Sequence, residues 1–205
     1  MARILLLHSA LGLGPAVLEF AERLRELGHE VDTPDYYEGH LFDDEAAGIA
    51  HRDAHPEYFG SVRAAAAELP AGTVYAGFSL GAWFAQRIVS GRADAGAAIL
   101  LHSAAPPPGA WTGVPVQVHR HATDPWIDPA EVRALGEAVT ASGATFEDHV
   151  TPGRGHLFTD LAGPDADVDA TARTLVRIDN FCRDQSVTHV APNHQRNRAG
   201  SSPRP

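Results

Sequence analysis

Lysine is absent from the sequence, so all 16 basic residues are arginine. Together with abundant Ala, Gly and Pro, this is a compositional bias that carries no functional reading. Cysteine is nearly absent as well. Cys182 stands alone, which excludes an internal disulfide. No apolar run approaches the length of a membrane span. The first one, Ile4 to Leu7, is broken by His8, which is not the pattern of a secretory signal. The expectation is a cytoplasmic protein with no membrane partner. Positive charge is also scarce. The 26 acidic residues leave a formal net charge of −10, which argues against non-specific binding to nucleic acid or anionic lipid. What remains is 205 residues, 44% hydrophobic and 20% charged, enough for one globular domain with a sizeable core.

The hydrophobic pattern alternates between strand and helix. Ile4 to Leu7 is a continuous apolar run, as in a strand buried on both faces. Pro15 suits a helix start, and Val17, Leu18, Ala21, Leu24 and Leu27 follow at helical spacing until Gly28. Val31 marks a weak second strand. Residues 36–55 are polar, acidic and His-rich, and read as an excursion over the sheet. Further helices are predicted over 56–69, 80–89, 129–140 and 165–183, and strands over 73–78, 97–101, 114–118 and 144–150. This order implies an α/β fold, a mostly parallel central sheet covered on both faces, in a domain spanning 1–184. Residues 185–205 contain no acid and little apolar surface, so a disordered C-terminal tail is expected there.

Gly77-Phe78-Ser79-Leu80-Gly81 falls where the third strand passes into a helix. The glycines make sense as space savers, because so sharp a turn brings strand and helix backbones close together. Ser79 would be held in a strained conformation with its hydroxyl at the sheet edge. The helix N-terminus would aim the Leu80 N–H at the same point, where it can meet a developing oxyanion. A hydroxyl also needs a base. In this arrangement the orienting acid and the base follow the serine in chain order. Asp124 comes just after the 114–118 strand. Asp128 is its rival, but stands before Pro129 as a helix cap would. His156 lies in a Gly-rich loop after the last strand, whereas its rival His149 lies within that strand. A post-strand Asp or a loop His means little alone; the three in this order point to a Ser79, His156, Asp124 triad.

The chain resembles the dienelactone hydrolase family of the α/β-hydrolase fold, a three-layer sandwich. The likeness runs from about Arg3 to Cys182. It is carried by His8-Ser9-Ala10-Leu11-Gly12, by Pro34-Asp35-Tyr36-Tyr37, by the elbow with Trp83-Phe84-Ala85, and by the Asp124 and Gly155-His156-Leu157-Phe158 loops. The resemblance implies a triad at these positions. It also implies a second oxyanion donor in the first loop, the Ala10 N–H. Founding members use a Cys nucleophile, with a partnered Glu after the first strand; here Ser79 and Ser9 stand in those places.

The expected activity is hydrolysis of a small ester or lactone without a cofactor. A catalytically silent binding protein and an acyltransferase on the same triad are the alternatives. His8, Ser9, Leu11, His102, Trp111, Trp126 and Phe158 follow strands on the active side and are candidates to line the pocket, with core packing an equal reading for the aromatics. Trp83 reads as core. Arg52, Arg120 and Arg154 are the cations placed near the rim. The scarcity of positive charge favours a neutral substrate over an anionic one. Gly12-Leu13-Gly14 has Val17 where a dinucleotide fingerprint needs its third Gly. His51 and His55 have metal-site spacing but lack the Glu of the metalloprotease pattern, so no metal is expected.

Overall fold

The computed structural model describes residues 1–188. Six strands form one sheet: β1 (Arg3–Leu7), β2 (Glu30–Asp32), β3 (Val74–Phe78), β4 (Ala97–Leu101), β5 (Val116–Thr123) and β6 (Phe146–Arg154). Their spatial order is β2-β1-β3-β4-β5-β6, and every pairing is parallel. Parallel neighbours need crossovers, and apart from the helix-free segment 102–115 between β4 and β5, helices supply them. These are α1 (Pro15–Glu26), α2 (Glu45–Ala54), α3 (Glu57–Ala67), α4 (Leu80–Ser90), α5 (Pro129–Ala141) and α6 (Val168–Thr188).

Alternation along the strands sorts the core into two layers. Leu5, Leu7, Tyr75, Ala98, Leu100, Val116 and Val118 face α3, α4 and α5. Ile4, Leu6, Val74, Ala76, Phe78, Ile99 and Leu101 face α1 and α6. β3 and β4 have no exposed residue, which is why they read as unbroken apolar runs. On the α6 side of β5 the core turns polar, with Gln117, His119 and His121 all buried. The chain runs outward in both directions from β1 and β3, so the crevice for a ligand opens at their carboxyl ends.

Several elements differ from the pattern-based expectation. The 36–55 excursion contains α2, capped by the Asp44 carboxylate on the Ala47 N–H. Its apolar stripe is too thin to stand out by periodicity. β5 continues five residues and β6 four past the expected ends, through polar residues whose backbone groups pair along the ladder, with a register shift between His121 and Thr123. α6 runs to Thr188, beyond the expected start of the tail. The rest of that expected tail lies outside the described residues.

Candidate active site

Ser79 sits between β3 and α4 at φ 50° and ψ −107°. A non-glycine residue held there stores roughly 1–3 kcal/mol of strain. Its backbone is fixed on both sides. The Ser79 N–H donates to the Leu101 carbonyl at 2.7 Å, and the Ser79 carbonyl accepts from Trp83 N–H at 3.0 Å. The flanking glycines are both steric necessities. A Cβ on Gly77 would overlap the Gly81 carbonyl, and one on Gly81 would overlap the carbonyls of Leu7 and His8. The second contact draws β1 into the elbow as well as β3.

Three sequence-distant residues meet at this turn. The Ser79 Oγ lies 2.8 Å from His156 Nε2, and His156 Nδ1 lies 3.0 and 2.9 Å from the two Asp124 oxygens. A carboxylate only accepts, so Nδ1 carries the proton and Nε2 is left to accept from the Ser79 hydroxyl. Asp124 and His156 are both buried. Asp124 Oδ1 also accepts the Trp126 N–H at 2.9 Å. The rivals are elsewhere. Asp128 caps α5 through the Ala130 N–H, and His149 bonds Glu147 and Gln117 on the sheet.

The loop that carries His156 has an anchor that pattern reading missed. Asp165 accepts the His156 N–H at 2.8 Å. Gly155, at φ 109°, lies so close that a Cβ would strike the Asp165 carboxyl. Asp165 reads from sequence as the start of the last helix; α6 instead begins at Val168, which frees the acid for the loop. His102 is a second anchor. It follows β4 at φ 62°, and its Nε2 lies 2.7 Å from Thr159 Oγ1 in the loop that carries His156. Burial first, and the neighbouring His156 second, push its pKa well below the ordinary value, so it is neutral.

The triad opens onto a cleft of about 370 Å³. Ala10 and Leu80 line it beside Ser79, and Leu80 opens α4, where first-turn N–H groups have no partner in their own helix. Of the expected pocket residues, His102 and the half-exposed Trp126 are in the lining. The others are not. His8 is buried, stacked on Tyr36 at 3.6 Å, with Nδ1 on the Ser9 carbonyl at 2.8 Å. Burial lowers its pKa to about 4. The Ser9 hydroxyl turns inward to the Leu11 N–H, and Leu11 packs against the core. Trp111 is core, its indole N–H on the Val114 carbonyl. Phe158 is fully buried between His102 and His121.

Trp83, expected in the core, is partly buried and forms a cleft wall. The Arg87 guanidinium lies 4.1 Å above its ring. α2 supplies the opposite wall through Glu45, Ile49 and Arg52, of which only Arg52 was anticipated. Arg120 is instead paired with Asp148 on the sheet, and Arg154 does not reach the lining. His51 and His55 belong to a stack with Tyr58 on α2 and α3. Among the described residues no group of three or more His, Cys, Asp or Glu is arranged to hold a metal. No helix among them is long and apolar enough to cross a membrane.

Comparison with known proteins agrees with this architecture. The model of the dienelactone hydrolase family matches residues 2–186. No curated protein matches the chain. A dienelactone hydrolase-like promiscuous phosphotriesterase from metagenomic libraries superposes with a TM-score of 0.75 at 19% identity, over 90% of this chain and 87% of that one. A metagenome-derived lipolytic enzyme gives 0.66 at 14%, over 89% and 94%. The thioesterase domain of the curacin biosynthetic pathway gives 0.61 at 14%, over 86% and 90%. At these identities the structures share the fold. The family match spans nearly the whole chain, and on it this protein belongs to the dienelactone hydrolase family, hydrolases of the α/β-hydrolase fold that act on ester bonds.

Proposed function

We propose that the chain is a serine hydrolase that cleaves a small neutral ester or lactone through Ser79, His156 and Asp124. The observation that carries this is the unbroken hydrogen-bonded path from Ser79 Oγ through His156 to Asp124 at the mouth of the cleft. Ser79 Oγ bonds to the carbonyl carbon while its proton passes to His156 Nε2. The carbonyl oxygen becomes an oxyanion, held by the N–H groups of Leu80 and Ala10. Collapse breaks the bond to the leaving oxygen, which takes the proton from Nε2. Water then adds to the acyl-serine, giving its proton to Nε2, and Ser79 leaves with that proton restored. Asp124 keeps the ring in the productive tautomer and faces the imidazolium as it forms.

A neutral substrate fits the charge of the cleft. Arg52 is the cation of the lining, and its Nε is 2.7 Å from Asp53, with Glu45 on the same helix. Glu45 and Asp53 offset the single positive charge of Arg52, so this part of the lining does not favour an anion. The deciding test is labelling by a fluorophosphonate together with hydrolysis of p-nitrophenyl acetate. Both are expected in the wild type and lost in Ser79→Ala, with the fold retained by circular dichroism. Activity surviving Ser79→Ala would place the chemistry elsewhere.

A further inference from the structure

Gly48 stands in the middle of α2, where glycine is a poor choice. It does not have the positive φ that would require glycine. Alanine there would favour the helix. What forbids it is contact: a Cβ on Gly48 would overlap the carbonyl of Ala10 and press on the Ala10 methyl. Gly60 in α3 is the contrast, an exposed helical glycine with open space around its Cβ position.

The contact between α2 and the first loop is reinforced on several sides. The buried Tyr37 hydroxyl donates to the Gly48 carbonyl at 3.1 Å. The Phe42 N–H donates to the Leu11 carbonyl at 3.0 Å. Gly12, at φ 92°, leaves no room for a Cβ against the His40 carbonyl. From within, the loop is tied by Ser9 Oγ on the Leu11 N–H. Ala10 is thus held between its own turn and α2. The same helix presents Glu45, Ile49 and Arg52 to the cleft.

On the hydrolase reading above, with Ala10 as the second oxyanion donor, we propose that Gly48 is a positioning residue for the oxyanion. α2 rests on the Ala10 carbonyl and thereby sets the direction of the N–H on the other side of the same Cα. Catalytic hydrogen-bond donors must be held within about 0.5 Å of their productive position, so one added methyl at this contact is enough to misplace it. The effect falls on the transition state, because the oxyanion exists only there.

The test is Gly48→Ala, with Gly60→Ala as control for the change in helix propensity. With p-nitrophenyl acetate, kcat should fall about 10–100-fold while KM stays within about 3-fold, less than the loss from deleting an oxyanion donor outright. Inhibition by a short trifluoromethyl ketone, whose hemiketal oxygen occupies the oxyanion position, should weaken by the same factor as kcat/KM. Gly60→Ala should match the wild type. If Gly48→Ala does not fold, Tyr37→Phe removes only the hydroxyl that holds α2 and should give a smaller loss with the same split. Wild-type kcat and ketone affinity in Gly48→Ala, or in Tyr37→Phe where that variant is used, would overturn the proposal. So would a KM that rises in step with the ketone inhibition constant, which would mean a generally distorted cleft. Ser79→Ala in the same assay checks the underlying reading separately. If it abolishes turnover, a wild-type rate in Gly48→Ala refutes the positioning role alone.

Discussion

Replacing Asp124 by Asn separates charge and tautomer from shape. The two side chains have nearly the same size, and Asp124 is buried with little room to shift. Its Oδ1 accepts the Trp126 N–H at 2.9 Å, so an Asn oxygen is drawn to that position. The amide NH₂ then takes the place of Oδ2, 2.9 Å from His156 Nδ1. An NH₂ donates, so with the Asn oxygen engaged by Trp126 the tautomer in which Nδ1 accepts is favoured, and the ring proton shifts toward Nε2. There it points at the Ser79 hydroxyl 2.8 Å away, and the imidazole can no longer take the serine proton. Restoring the productive tautomer sets a donor against a donor and leaves the later imidazolium without its counter-charge. We expect kcat to fall by about 10²–10⁴-fold, equivalent to about 3–5 kcal/mol in the barrier. KM for p-nitrophenyl acetate should change little, since Asp124 does not line the cleft. Asp128→Asn, at the α5 cap, should leave kcat within about 3-fold, because a neutral Asn caps a helix nearly as well as Asp. Steady-state kinetics on both variants decides the matter. Near-normal kcat in Asp124→Asn, or a collapse in Asp128→Asn, would refute the assignment.

Other consequences concern stability and charge. His8 is buried with a pKa of about 4, against 6.5 for the free side chain, so the unfolded chain binds this proton more readily. The stability due to neutral His8 is complete above pH 6.5, is lost as pH falls below that value, and stops falling near pH 4. His102 and His119 are shifted the same way. Urea denaturation should therefore show a loss of about 2 kcal/mol or more between pH 7 and pH 5; equal stabilities would contradict the neutral buried state. For substrate charge, kcat/KM for a neutral short-chain ester or lactone should exceed that for a matched carboxylate-bearing dienelactone. A preference for the anion that fades with added salt would instead make Arg52 a carboxylate clamp.

The features legible in the sequence are those that local geometry dictates. A serine flanked two residues away by glycines, between an apolar strand and an apolar helix, reads as a tight elbow. Asp124 and His156 stand out because each follows a strand of one parallel sheet, and all such strand ends open on one side. Chain order and strand count are enough to bring these residues to the same edge. They do not say how a loop turns once it leaves the sheet. Trp111, Trp126 and Phe158 all follow strands, yet only Trp126 reaches the cleft, because the other two rotate into the core where larger apolar area is removed from water. Trp83 was hidden for the opposite reason: its place on a largely buried helix conceals that the helix end meets the cleft. Asp165 and α2 were beyond reach because their importance lies in long-range contacts, Asp165 to the His156 N–H and Gly48 to the Ala10 carbonyl. A glycine inside a short polar helix looks like a defect until the backbone packed against it is known. The choice and chain order of the proposed nucleophile, base and acid are thus legible in the sequence. The shape of the cleft and the placement of Ala10, the proposed second donor, were decided by packing, since both depend on which distant backbones touch.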